Sequence, residues 1–176
     1  MLKKSLCVLS LFLVLLTSGC NAQNNTTQEN TATPSTPTED VTTAKGDIIK
    51  LILSSHDSFN TLNQNLVNRL TYLKGTTNKN ESDVSAMNAE LRESTASIIS
   101  NIKDLQSIDM STIPEPAATD VKNYIKALSN YVRLNSIYEI DLLNNKLPSQ
   151  TSTDTLAKSI TDVNNCFTTV GISITE

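Results

Sequence analysis

Four long segments of the chain carry apolar residues at helical spacing, separated by short stretches of Gly, Pro, Thr and Asn. In the first, Ile48, Ile52, Phe59, Leu62, Leu66, Leu70 and Leu73 form a stripe, and Ile52, Phe59, Leu66 and Leu73 are each seven residues apart. That rhythm marks one face of an amphipathic helix. Thr36-Pro37-Thr38-Glu39 supplies a start signal: a capping Thr, a Pro where the first helical N–H has no partner in any case, and Glu three residues after the cap. Gly46 weakens a helix by about 1 kcal/mol relative to Ala, which leaves Asp47 as an alternative start. Gly75 offers a left-handed cap at the other end. The predicted helix covers roughly 37–74.

The polar loop Thr76-Thr77-Asn78-Lys79-Asn80 leads into the second segment, where Asn78 with Glu81, or Ser82 with Asp83, can open a helix. Val84, Leu91, Ile98 and Leu105 are again seven apart, with Met87 and Ile102 between them, and predict a helix over 82–107. Pro114 and Pro116 bar it from continuing. Pro116 suits the first position of a third helix over 116–146, stopped by Pro148. There Val121, Leu128, Asn135 and Leu142 form one stripe, and Tyr124, Tyr131 and Tyr138 a parallel one. Thr151-Ser152-Thr153-Asp154 opens a fourth helix over 153–170, whose Leu156, Ile160, Val163, Phe167 and Val170 lead to Gly171. No segment alternates with period two for long enough to argue a strand. The expected fold is all-α, an antiparallel four-helix bundle over 36–176; the Gly and Pro breaks argue against one long coiled coil.

The N-terminus carries a different pattern. Lys3 and Lys4 precede the apolar run 6–16, a charged n-region followed by an h-region. Eleven residues fall well short of the roughly 20 needed to span a bilayer, so the segment reads as a signal peptide, residues 1–19. The sequence Leu16-Thr17-Ser18-Gly19-Cys20 closes it. It resembles the lipobox of bacterial lipoproteins, in which small residues precede an obligatory Cys. Thr17 stands where the family has Leu, with Leu16 one position further out. The resemblance implies cleavage before Cys20, diacylation of its thiol, and a membrane partner reached through the diacylglyceryl group. It covers residues 1–20 alone.

Residues 21–35 contain no large apolar side chain, so nothing there offsets the entropy of ordering, and residues 20–35 read as a lipidated Cys on a flexible tether. Residues 21–35 reach about 50 Å fully extended and roughly 20 Å on average as a coil.

Composition narrows the function classes. Loss of residues 1–19 from the 176 leaves 157, and loss of Lys3 and Lys4 moves the formal charge from −4 to −6. An acidic surface of this kind argues against nucleic acid as a partner. With Cys7 removed and Cys20 acylated, Cys166 has no intramolecular partner. It reads as a small apolar residue beside Phe167, with intermolecular pairing the alternative. The surplus of Lys and Asn over Arg and Gly fits a low-GC Gram-positive coding sequence, which places the expected anchor on the extracytoplasmic face of the plasma membrane.

Catalytic signals are sparse. His56 lies in Ser55-His56-Asp57, but neighbours on a helix point about 100° apart and cannot relay a proton. His56 and Cys166 alone cannot make a zinc site of usual composition. No Gly-rich phosphate loop, EF-hand loop or Gly-x-Ser-x-Gly elbow occurs. Glu139 with Asp141, or Glu90 with Glu93, are carboxylate pairs of the kind a solvated helix face carries. No enzyme, catalytic residue, metal or cofactor is expected. Tyr124, Tyr131 and Tyr138, with Asn135 between them, are the candidate ligand-binding residues, as rings lining a groove with their hydroxyls wet; as core residues they would pack with the hydroxyls at the rim. Two readings follow. A non-enzymatic module that binds a protein or envelope partner predicts an exposed apolar patch; a small-molecule or peptide-binding bundle predicts a pocket near the Tyr stripe.

Overall fold

The computed structural model of the protein describes residues 38–75 and 78–175, with side chains at 45–75 and 78–174. Cys20, the tether and the Thr36-Pro37 start signal lie outside the described residues. The fold is an all-α antiparallel four-helix bundle: α1 (Thr38–Gly75), α2 (Glu81–Gln106), α3 (Ala117–Leu143) and α4 (Gln150–Thr175). Among the described residues there is no strand, and no helix is long and apolar enough to cross a membrane.

Contacts across the seams fix the directions. Ser58 meets Ser97 and Arg69 meets Asn88, so α2 runs against α1. Tyr124 packs on Phe167 near one end of the α3–α4 pair and Tyr138 borders Thr153 near the other. His56 stacks on Phe167 between α1 and α4. One end of the bundle therefore gathers the start of α1, the α2–α3 connection and the end of α4. The distal end gathers the end of α1, the start of α2 and the α3–α4 connection.

The core follows a step of four and three more strictly than the apolar stripes do. Along α1 the buried positions are Ile48, Ile52, Ser55, Phe59, Leu62, Leu66, Arg69 and Leu73. Along α3 they include Val121, Tyr124, Leu128, Tyr131, Asn135, Tyr138 and Leu142. This is the seam of a left-handed bundle, where two positions of every seven face the partner helices. Leu70, Ile160 and Phe167 flank it and are half-buried, whereas Ser55, Ser94 and Ser159 lie in it. These serines satisfy themselves on their own helices, donating to the carbonyls of Leu51 (2.6 Å), Glu90 (2.8 Å) and Leu156 (2.7 Å). Their small size suits close helix approach.

Several boundaries differ from expectation. The first helix runs unbroken through Gly46, where an added Cβ meets open space, so Asp47 is not its start. Gly75 is its last residue and has no positive φ; the following loop is tied back instead by Asn80 N–H, which donates to the Tyr72 hydroxyl at 2.9 Å. Asn80 caps α2, its Oδ1 accepting from Ser82 N at 3.0 Å. Pro116 precedes α3 after a cis Glu115–Pro116 bond, and α3 stops at Leu143 because Asn145, at φ 57°, turns the chain in the left-handed region that Asn tolerates. Ser149, not Thr151, opens α4: its Oγ accepts from Ser152 N at 3.1 Å. The helix then passes through Gly171 on its exposed side and gains one more core residue, Ile174.

Candidate functional site

Because Tyr124, Tyr131 and Tyr138 fall on seam positions of α3, all three rings are buried, at 0, 0 and 5 % exposure, and Asn135 between them is at 0 %. They do not line a common groove. Tyr124 belongs to an aromatic cluster in which the His56 ring stacks on Phe167 at 3.6 Å between centroids and 5° between planes. Tyr131 meets Phe59 edge-on at 4.8 Å and donates its hydroxyl proton to Asn63 Oδ1 at 2.8 Å. Tyr138 adjoins a shallow depression of about 150 Å³, shared with Asn63, Leu66, Val67, Thr153 and Leu156. Of the stripe, Tyr138 is the residue placed beside an open surface.

Burial governs the titration of these groups. It pushes the phenols of Tyr124, Tyr131 and Tyr138 upward, with Asp57 and Cys166 adding to the effect at Tyr124 and Glu139 at Tyr131. The same burial lowers His56 to about 4 against the pull of Asp57. Neither His56 Nδ1 nor the Tyr124 hydroxyl has a hydrogen-bond partner. Cys166 is half-buried as a free thiol, raised by burial and by Asp162 and Asp120. Among the described residues, no group of three or more His, Cys, Asp and Glu side chains could hold a metal ion.

Asn135 works with a carboxylate. Its Nδ2 donates to Glu139 Oε2 at 3.1 Å, and Thr95 Oγ1 of α2 donates to the same oxygen at 2.8 Å. Burial raises Glu139, while the Thr95 bond, Arg92 and the Asn135 bond pull it back. Asp141, the other member of the proposed carboxylate pair, is not part of this network.

The distal end holds a second polar network, at positions that apolar periodicity does not mark. Arg69 is at 0 % exposure. Its Nε donates to Asn88 Oδ1 at 3.1 Å, and its Nη2 donates to the Leu142 carbonyl at 3.1 Å and to Asn145 Oδ1. Leu142 lies in the last turn of α3, so the guanidinium sits at the negative end of that helix dipole. Burial lowers Arg69 from its ordinary value. The signal in the sequence was its step of three from Leu66 and four to Leu73, which puts it on the seam.

Two larger clefts lie at the two ends. One, of about 380 Å³, is framed by Lys45 and Ile48 of α1, the Ile113–Ala117 turn, and Ser173 and Ile174 of α4, and is mostly apolar. The other, of about 600 Å³, lies over the Arg69 network and is lined by Lys79, Glu81, Ser85, Asn88, Arg92 and Asn145, with Val84 and Ala89. No protein family, curated protein or solved structure matches the chain.

Proposed function

We propose that the protein is an extracytoplasmic lipoprotein, held to the membrane by diacylated Cys20, whose bundle is a non-enzymatic module that binds a protein or envelope partner. The observation that carries this reading is Leu16–Cys20 behind its charged and apolar regions. Two acyl chains on one Cys hold a protein far more firmly than the marginal binding of one. The bundle begins at Thr38, so residues 21–37 separate it from the anchor. The solvent face of α3 supports a partner-binding role, because Ile137 and Ile140 are 58 and 57 % exposed one turn apart and Leu147 follows at 57 %.

A second reading, a small-molecule or peptide-binding bundle, is favoured by the depression beside Tyr138 and narrows the proposed site to that end of the Tyr stripe. Replacing Cys20 with Ala tests the anchor. The expected outcome is release into the medium or an unprocessed precursor; a processed, lipid-labelled form of the variant would overturn the reading. Crosslinking on intact cells with wild type and an Ile137→Asp/Ile140→Asp variant tests the docking face: a partner adduct lost in the variant supports it, and an identical adduct pattern excludes it.

A further inference from the structure

We propose that the distal cleft is a binding site for an oxyanion, a phosphate or carboxylate group carried by a polar molecule. The site stands whether or not Cys20 carries lipid. Its foundation is Arg69, a cation with no exposed surface and no carboxylate partner; the ion pair present among the described residues is Lys50–Asp47, on the exposed surface. A buried guanidinium is costly unless its charge is met. The α3 dipole supplies about half an elementary charge, leaving the rest uncompensated, and Arg69 Nη1 has no hydrogen-bond partner.

The chemistry above Arg69 is that of donors. Asn88 and Asn145 both commit their Oδ1 atoms to Arg69, and both line the cleft. Among the described residues neither Nδ2 group has an acceptor, so each side chain can offer only N–H to an occupant, with its dipole held by the cation behind it. Lys79 and Arg92 add two cations, neither in an ion pair among the described residues, though Arg92 also acts at a distance on Glu139, and Ser85 adds a hydroxyl. A set of amide, ammonium and guanidinium donors matches an oxyanion, which has acceptors alone. Glu81 is the one carboxylate on the lining, and it opposes the ligand. The volume of about 600 Å³ exceeds a single phosphate, so the oxyanion is part of a larger polar molecule.

The probes are inorganic phosphate, acetate and chloride at matched ionic strength, titrated into the full-length protein while the side-chain amide signals of Asn88 and Asn145 are followed by NMR. Saturable shifts with phosphate or acetate but not chloride are expected, and the tighter of the two identifies the class. Equal, non-saturating shifts with all three salts would overturn the site. Arg92 is exposed, so Arg92→Gln leaves the fold intact and should weaken binding about fivefold, while Glu81→Gln should tighten it about twofold. An unchanged affinity in Arg92→Gln would also sink the proposal. Asn145→Asp gives Arg69 the missing counter-charge; it should raise the melting temperature and abolish binding. Retained phosphate binding in that variant would separate Arg69 from the site and refute its role.

Discussion

Two stretches of one core, around Phe59 and around Arg69, are equally buried and are held by opposite means. Near Phe59 the contacts are rings: His56 on Phe167, Phe59 on Tyr131, Tyr124 against both His56 and Phe167. Both regions leave polar atoms without a hydrogen-bond partner, His56 Nδ1 and the Tyr124 hydroxyl in this one, Arg69 Nη1 and Asn135 Oδ1 in the other. Near Arg69 the contacts are hydrogen bonds to Asn88, Asn145 and the Leu142 carbonyl, and the Asn135–Glu139–Thr95 group is held in the same way. The difference teaches that the seam position decides burial, whereas the residue placed there decides whether dispersion or polar pairing holds it.

The largest test of that contrast is Phe59→Ala. Removing a fully buried ring that two aromatic neighbours, His56 and Tyr131, pack against should cost about 3–5 kcal/mol in chemical denaturation. A loss below about 1 kcal/mol would mean that the aromatic region is not held by packing.

Acid should also strike the aromatic region. His56 titrates near 4 in the fold against 6.5 when free, so between these values the unfolded chain binds the extra proton. Stability from this group is therefore full above pH 6.5 and lost as pH falls toward 4. Because the ring is half-buried, the loss is about 1–2 kcal/mol. Glu139, raised by burial, acts the other way and gains stability on acidification, so the informative quantity is the difference between wild type and His56→Leu. Identical pH profiles for the two would exclude His56 as the cause.

Two phenols give a finer comparison. Tyr131→Phe removes a hydroxyl that bonds Asn63 and should cost about 1 kcal/mol, while Tyr124→Phe removes an unpartnered buried hydroxyl and should be neutral or slightly stabilising. Equal effects in urea unfolding would erase the distinction. A small gain is expected at Gly171, inside α4 with open space at its Cβ: Gly171→Ala should raise stability by about 0.5–1 kcal/mol, read as a higher melting temperature.

The helices and their order were legible because apolar residues recur at helical spacing in all four segments. The seam was less so, since hydrophobicity alone marks Leu70 and Ile160, while the step of four and three marks Arg69 and Ser159. Tyr124, Tyr131 and Tyr138 lie on one line of the helix for the reason that buries them, so the spacing that singled them out as a groove also argued for core. Asn88 and Asn145 were invisible: they are distant in sequence, and their common partner is a residue whose type suggests solvent. The ends of α3 and α4 depended on single residues, Asn145 and Ser149, whose turn geometry a periodicity cannot show.

The up-and-down connectivity has a kinetic consequence. Loops of five, ten and six residues join successive helices, so most packing is between neighbours in sequence, and bundles of this topology fold on the order of microseconds to milliseconds. Of the seams between helices that are not neighbours in sequence, α1–α4 spans the longest separation, joining residues more than a hundred positions apart, such as His56 and Phe167. Its loop-closure entropy is the greatest in the bundle, which makes it the last seam to form. Phe167→Leu should accordingly speed unfolding and leave the folding rate nearly unchanged, with a φ-value near zero; a value near one would place the closing of the bundle first.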